Sequence, residues 1–317
     1  MKQVWLTIAA AVCGSLPAVA GDLPRDVLSI DYSADQGLVA AAYRGGQVVV
    51  WEFESGRVKQ VFNPSAARNT WSRPLAQFSA GGRRLAFTQE GDAGLVAYEV
   101  ESGKSTVLVP RRLLVEGIEA ANWSHQADTM LVAVGRDIFL IDAMGHTRWQ
   151  RRLETRALIT DVVWHPSEKF YTVATDDGMI STWETASGRV IASAKIEADA
   201  HAVPVKVFWT DEDALVAEVR GTSLEALDPE TLKPIRVTAC HCLDFAWSGK
   251  EIFAWTPPAI AVFSGGVQRG RELRTPFAGD GAIAWAEGGR ILTASSDSAV
   301  VLRDTRSGKI LRTFSVP

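Results

Sequence analysis

Cys240, His241 and Cys242 stand consecutively in the chain, and two thiols flanking an imidazole are open to three kinds of chemistry. A disulfide between residues two apart needs Cα atoms within about 4.4–6.8 Å, and so a bent segment. Two thiolates also suit copper(I) or zinc. In an extended segment His241 points away from both sulfurs, so a third metal ligand would come from elsewhere, and His201 in the preceding loop is the candidate. The third reading is an inert pair, and the residues leave all three open. The spacing is not the C-x-x-C-H of covalent haem attachment. The other histidines, at 125, 146 and 165, are scattered. The chain contains no nucleophile elbow, H-E-x-x-H, Walker loop or dinucleotide glycine motif.

Composition narrows the classes further. The 317 residues carry a formal net charge of −4 and no run of like charge, so nothing advertises nucleic acid or an interaction tail. At the N-terminus Lys2 precedes an apolar run from Val4 to Val12, and Ala18-Val19-Ala20 follows Pro17. This is the pattern of a signal peptide cleaved after Ala20, and it leads us to expect export to a periplasm or secretion. The run is too short to span a bilayer, which takes about 20 residues, and no membrane span is expected elsewhere. A lipidated Cys13 is the competing reading, disfavoured by the Val12 before it. Beyond the leader only Cys240 and Cys242 remain, so packing rather than a disulfide framework must hold the fold.

The elements that must position these residues follow from a repeat. An apolar-x-aromatic phrase recurs seven times, with its aromatic at Tyr32, Phe78, Trp123, Trp164, Trp209, Trp247 and Trp285. Consecutive aromatics are separated by 46, 45, 41, 45, 38 and 38 residues, the period of a propeller blade of four short strands. Within each unit an apolar strand, such as Arg84 to Thr88, leads through turns like Gly45-Gly46 or Asp177-Gly178 into a third strand. That strand ends beside an acid at Trp51-Glu52, Tyr98-Glu99, Ile141-Asp142, Trp183-Glu184, Leu227-Asp228 and Arg303-Asp304. A Ser-Gly-basic turn at Ser55, Ser102, Ser187 and Ser307 then leads to a fourth, outer strand such as Val58 to Phe62. Residues 21–317 are therefore expected to form one all-β domain, a seven-bladed β-propeller of four-stranded antiparallel blades. Every unit supplies its own outer strand, so ring closure is expected to rest on side-chain packing between the first and last blades.

These units resemble the WD-repeat family, whose third strand ends in Trp-Asp. The Trp-Glu pairs at Trp51 and Trp183 come close, and the likeness runs from about residue 27 to 316. The family's Gly-His dipeptide is absent, and its buried hairpin Asp is matched only by Asp176 or Asp177 and by Asp297.

The resemblance implies that binding gathers on an upper rim, made by the loops between blades and by the second hairpins. Arg68, Trp71, Arg73, Arg111, Arg112 and Arg156 fall in such loops around the first four blades. An aromatic among arginines suits an acidic protein partner or an anionic ligand. The reading is thus an exported, non-enzymatic scaffold that acts as a monomer and binds a protein partner through its upper rim. One alternative is an accessory protein for metal or cofactor handling, holding copper or zinc with Cys240, Cys242 and His241 or His201. The other is a propeller hydrolase whose channel carboxylates would be Asp176, Asp177 or Asp297.

Overall fold

A computed structural model describes residues 26–63, 74–89, 94–110, 117–196, 205–210, 214–219, 222–275, 281–294 and 299–316. They form seven four-stranded antiparallel sheets, each built from four strands consecutive in the chain. A single 3-10 turn at Ala80–Gly82 is the only helical element among the described residues. The innermost strands are Val27–Ser33, Ala76–Phe78, Ala120–Trp123, Ile159–Trp164, Val205–Trp209, Asp244–Trp247 and Ala282–Ala286.

A four-stranded sheet with two apolar faces cannot stand alone in water, and the repeat solves this by stacking each sheet on the next. Seven apolar clusters fill the seven junctions. One, for example, joins Leu38, Val50 and Ala42 of the first blade to Phe78, Leu85 and Val96 of the second. The second strands of the blades, buried on both faces, read as unbroken apolar runs such as Leu38–Tyr43, all six residues of which are buried. Of the repeated aromatics, Phe78, Trp123, Trp164 and Trp209 are buried. Tyr32, Trp247 and Trp285 are only half-buried and pack on the edges of their clusters, more exposed than a core position predicts; Trp285 stacks on Phe253 with centroids 5.5 Å apart.

The acid and the Ser-Gly-basic turn work together. The glycines at 56, 103, 188 and 308 have φ of 69–72°, a left-handed conformation that an L side chain resists. The preceding serine hydroxyl donates to the acid three residues earlier, Ser55 to Glu52 at 2.7 Å and Ser307 to Asp304 at 2.6 Å, with Ser102 to Glu99 and Ser187 to Glu184 likewise. The fifth unit does the same with Thr231 and Asp228 at 2.8 Å. The terminal acid of the repeat is thus a turn-fixing residue.

Among the described residues no strand crosses between the last blade and the first. Closure rests on a shared cluster that includes Trp51, Phe53 and Phe314, on the Trp51 indole N–H donating to the Ser315 carbonyl at 3.0 Å, and on Arg312 donating to the Phe53 carbonyl. This is closure by side chains, as the seven complete units predict.

Candidate functional site: channel and rim

The innermost strand of every blade is a sheet edge, and its outward N–H groups have no strand to pair with. Side chains of the preceding blade meet them. Asp31 accepts from Phe78 N–H at 2.6 Å, Asp161 from Val207 N–H at 3.0 Å and Asp244 from Ile283 N–H at 3.1 Å. The Gln77 and Asn122 side-chain oxygens accept from Trp123 and Trp164 N–H, each at 3.3 Å. Between the fifth and sixth blades Lys206 Nζ reaches Asp244 at 2.8 Å, and its strand register sets it opposite Glu218, which is 1% exposed. A belt of polar latches therefore circles the channel and joins each blade to the next from the first to the seventh.

The channel itself holds a cavity of about 240 Å³, to which all seven blades contribute residues in or just before their inner strands. Its ionisable lining includes Glu119, Asp161, Lys206 and Asp244. Two of these acids are latches, and Asp161 also accepts from Val162 N–H at 2.9 Å. Asp31 lines a recess toward the other mouth, where burial pushes its pKa from the ordinary 3.8 up to about 6 against the pull of its two backbone N–H donors.

Asp176 and Asp177, the channel carboxylates of the hydrolase alternative, sit in the hairpin after Phe170–Thr175, where the resemblance places its hairpin acid. Asp176 accepts from Leu158 N–H at 3.0 Å and so clamps the loop between blades. Asp177 accepts from the Thr175 hydroxyl at 2.6 Å. Both are engaged as turn acids, outside the channel lining, because a hairpin of two short strands ends at the rim. Asp297 lies outside the described residues, as do Arg68, Trp71, Arg73, Arg111, Arg112, His201 and the leader at 1–20. Arg156 is exposed in the loop between the third and fourth blades. Its neighbour Arg136 donates to the Thr155 carbonyl of that loop at 3.0 Å.

Cys240 and Cys242 are joined by a disulfide with Cα atoms 5.2 Å apart. Both are buried, at 3% and 0% exposure, in the apolar cluster between the fifth and sixth blades, while His241 between them is exposed. His241 borders a groove of about 650 Å³ whose other walls include Pro257, Pro258, Arg269, Glu272 and Arg274. Among the described residues no group of three metal-ligating side chains converges.

The latches were missed by reading only the aromatics of the repeat. The middle residue of the apolar-x-aromatic phrase is polar in the first three units, as Asp31, Gln77 and Asn122, and a polar residue inside an otherwise apolar inner strand was the available signal. Glu168 carried no such signal. With φ of 56°, it reaches into the neighbouring blade, where its carboxylate accepts from the Ser124 hydroxyl at 2.7 and 2.8 Å, from Gln126 N–H at 2.9 Å and from His125 N–H.

Comparison with known proteins agrees with this geometry. A family model described as the anaphase-promoting complex subunit 4 WD40 domain matches residues 117–212, the third and fourth blades and the start of the fifth. The β-propeller domain of Cps50 (Swd1) from Myceliophteria thermophila superposes with a TM-score of 0.67 and 16% sequence identity, over 86% of this chain and 94% of that one. No curated protein matches by sequence. Seven four-stranded blades on this period make the chain a seven-bladed β-propeller, and a WD40 family model matches across two of its blades.

Proposed function

We propose that this propeller is an exported, non-enzymatic interaction scaffold that binds a protein partner through its upper rim. The observation that supports it most is the use made of the channel carboxylates. Asp161 and Asp244 are spent on holding blades together, and a general acid or base must instead be within reach of a substrate proton. Asp176 and Asp177 are occupied in their own hairpin and loop. The upper rim offers surface for such a contact, since Arg156 is exposed there and a groove opens beside His241. The proteins it resembles carry the same architecture, and WD-repeat propellers as a class present their rims to other proteins.

The test is site-specific photo-cross-linking in the native host. A photoreactive residue at Arg156 reports on the upper rim, and one at Gln126, in the exposed turn at the opposite end of the third blade, reports on the lower face. The proposal expects one protein partner, identified by mass spectrometry, from the Arg156 position and none from Gln126. Cross-links from Gln126 alone, or a full-length precursor retained in the cytoplasm, would overturn it.

A further inference from the structure

The Cys240–Cys242 bridge and the groove beside it are not explained by the fold. A disulfide between residues two apart forces the residue between them to the other side of the bend. Here both sulfurs turn into the cluster of Val216, Leu224 and Ile252, and His241 is held outward at the groove wall. The facing wall is equally fixed, because the Pro258 carbonyl accepts from both the N–H and the hydroxyl of Thr275 at 2.9 Å. That wall offers the apolar rings of Pro257 and Pro258 and no free carbonyl at the second of them. Charge then selects the occupant. Arg269 pairs with Glu272, which neutralises both, and Arg274 is exposed and makes no ion pair among the described residues. An exposed guanidinium and an imidazole thus border the prolines on a protein whose net charge is −4, so the positive charge of Arg274 is local and does not come from general basicity.

We propose that this groove binds an acidic peptide segment of the protein partner. Arg274 pairs with a carboxylate of the segment, bidentate geometry being its strongest mode; His241 takes a second carboxylate, and the prolines pack against the segment's backbone and methylenes. The disulfide is the staple that keeps His241 in place. The inference rests on the upper rim being the interaction face.

Fluorescence anisotropy of the full chain with a labelled Glu/Gly-repeat octapeptide tests it, with the Gln/Gly octapeptide and a short oligothymidylate as comparison probes. The acidic peptide is expected to bind, and the Gln peptide about tenfold more weakly or not at all. Arg274→Glu should lower affinity about tenfold or more and His241→Ala about threefold. Arg236→Glu, on the outer strand of the fifth blade and outside the groove, should change it less than about twofold. Cys240→Ala/Cys242→Ala should match His241→Ala, and adding His241→Ala to it should cost nothing further. Absence of acidic-peptide binding, equal loss in Arg236→Glu and Arg274→Glu, or tighter binding of the oligothymidylate each overturns the assignment. Upper-rim cross-linking that persists without acidic-peptide binding leaves the interaction reading standing and removes only this site.

Discussion

Replacing Asp31 by asparagine keeps the shape of the first latch and removes its charge, and the structure says what that charge costs. The carboxylate accepts from Phe78 N–H at 2.6 Å and Tyr32 N–H at 2.8 Å, yet burial still lifts its pKa from 3.8 to about 6. A carboxyl whose folded pKa is the higher one binds its proton more tightly in the fold. The stability it contributes is therefore full below the unfolded value and is lost as pH rises through about 6. At about 1.4 kcal/mol per pKa unit, the ionised group costs the fold about 3 kcal/mol at neutral pH. Asparagine retains the acceptor oxygen without the charge, and Asn122 already does this work in the third blade. Asp31→Asn is therefore expected to stabilise the protein by about 1–3 kcal/mol at neutral pH and by about nothing below pH 4. Urea denaturation across that range, with an unchanged m-value, measures it. A variant less stable than the parent at neutral pH would show that the charge-assisted hydrogen bonds outweigh desolvation, and the reasoning would be wrong.

Other latches give further tests. Lys206→Met leaves the half-buried Asp244 without its cation, and about 2–4 kcal/mol should be lost in urea; a loss under about 0.5 kcal/mol would mean the pair behaves as a solvated surface bridge. Glu168→Ala should cost about 2 kcal/mol through the unsatisfied donors of the neighbouring blade, and Glu168→Gly about 1 kcal/mol less, since only glycine adopts φ of 56° freely; equal losses would show that the backbone is not strained. The buried Cys240–Cys242 bridge should resist a reductant in native protein and yield two alkylated thiols only after denaturation, as read by intact mass. Rapid native labelling would place it at the surface.

The blades were legible because their signals are local. Turn glycines such as Gly56 and Gly308, the Ser–acid pairing three residues apart and the apolar second strands all act within a few residues of chain. The latches act between residues 38–47 apart, and their position drifts: Asp31 immediately precedes its aromatic, whereas Asp161 and Asp244 stand three residues before theirs. Only the stacking of blades reveals that they serve one purpose. The groove is less legible still, since its walls come from the exit of the fifth blade, the second hairpin of the sixth and that blade's outer strand. Sequence spacing made Cys240 and Cys242 conspicuous, but the direction of His241 depends on which way the bridged bend faces the core.

The seam between the seventh blade and the first carries a mechanical consequence. Six junctions are bridged by the chain itself, and this one is held by an indole, a guanidinium and a shared apolar cluster. Parting it breaks no strand pairing in either blade. The ring is therefore a clasp rather than a hoop: its last junction is fastened by side chains alone among the described residues, and the blade on either side keeps its own strand pairing whole.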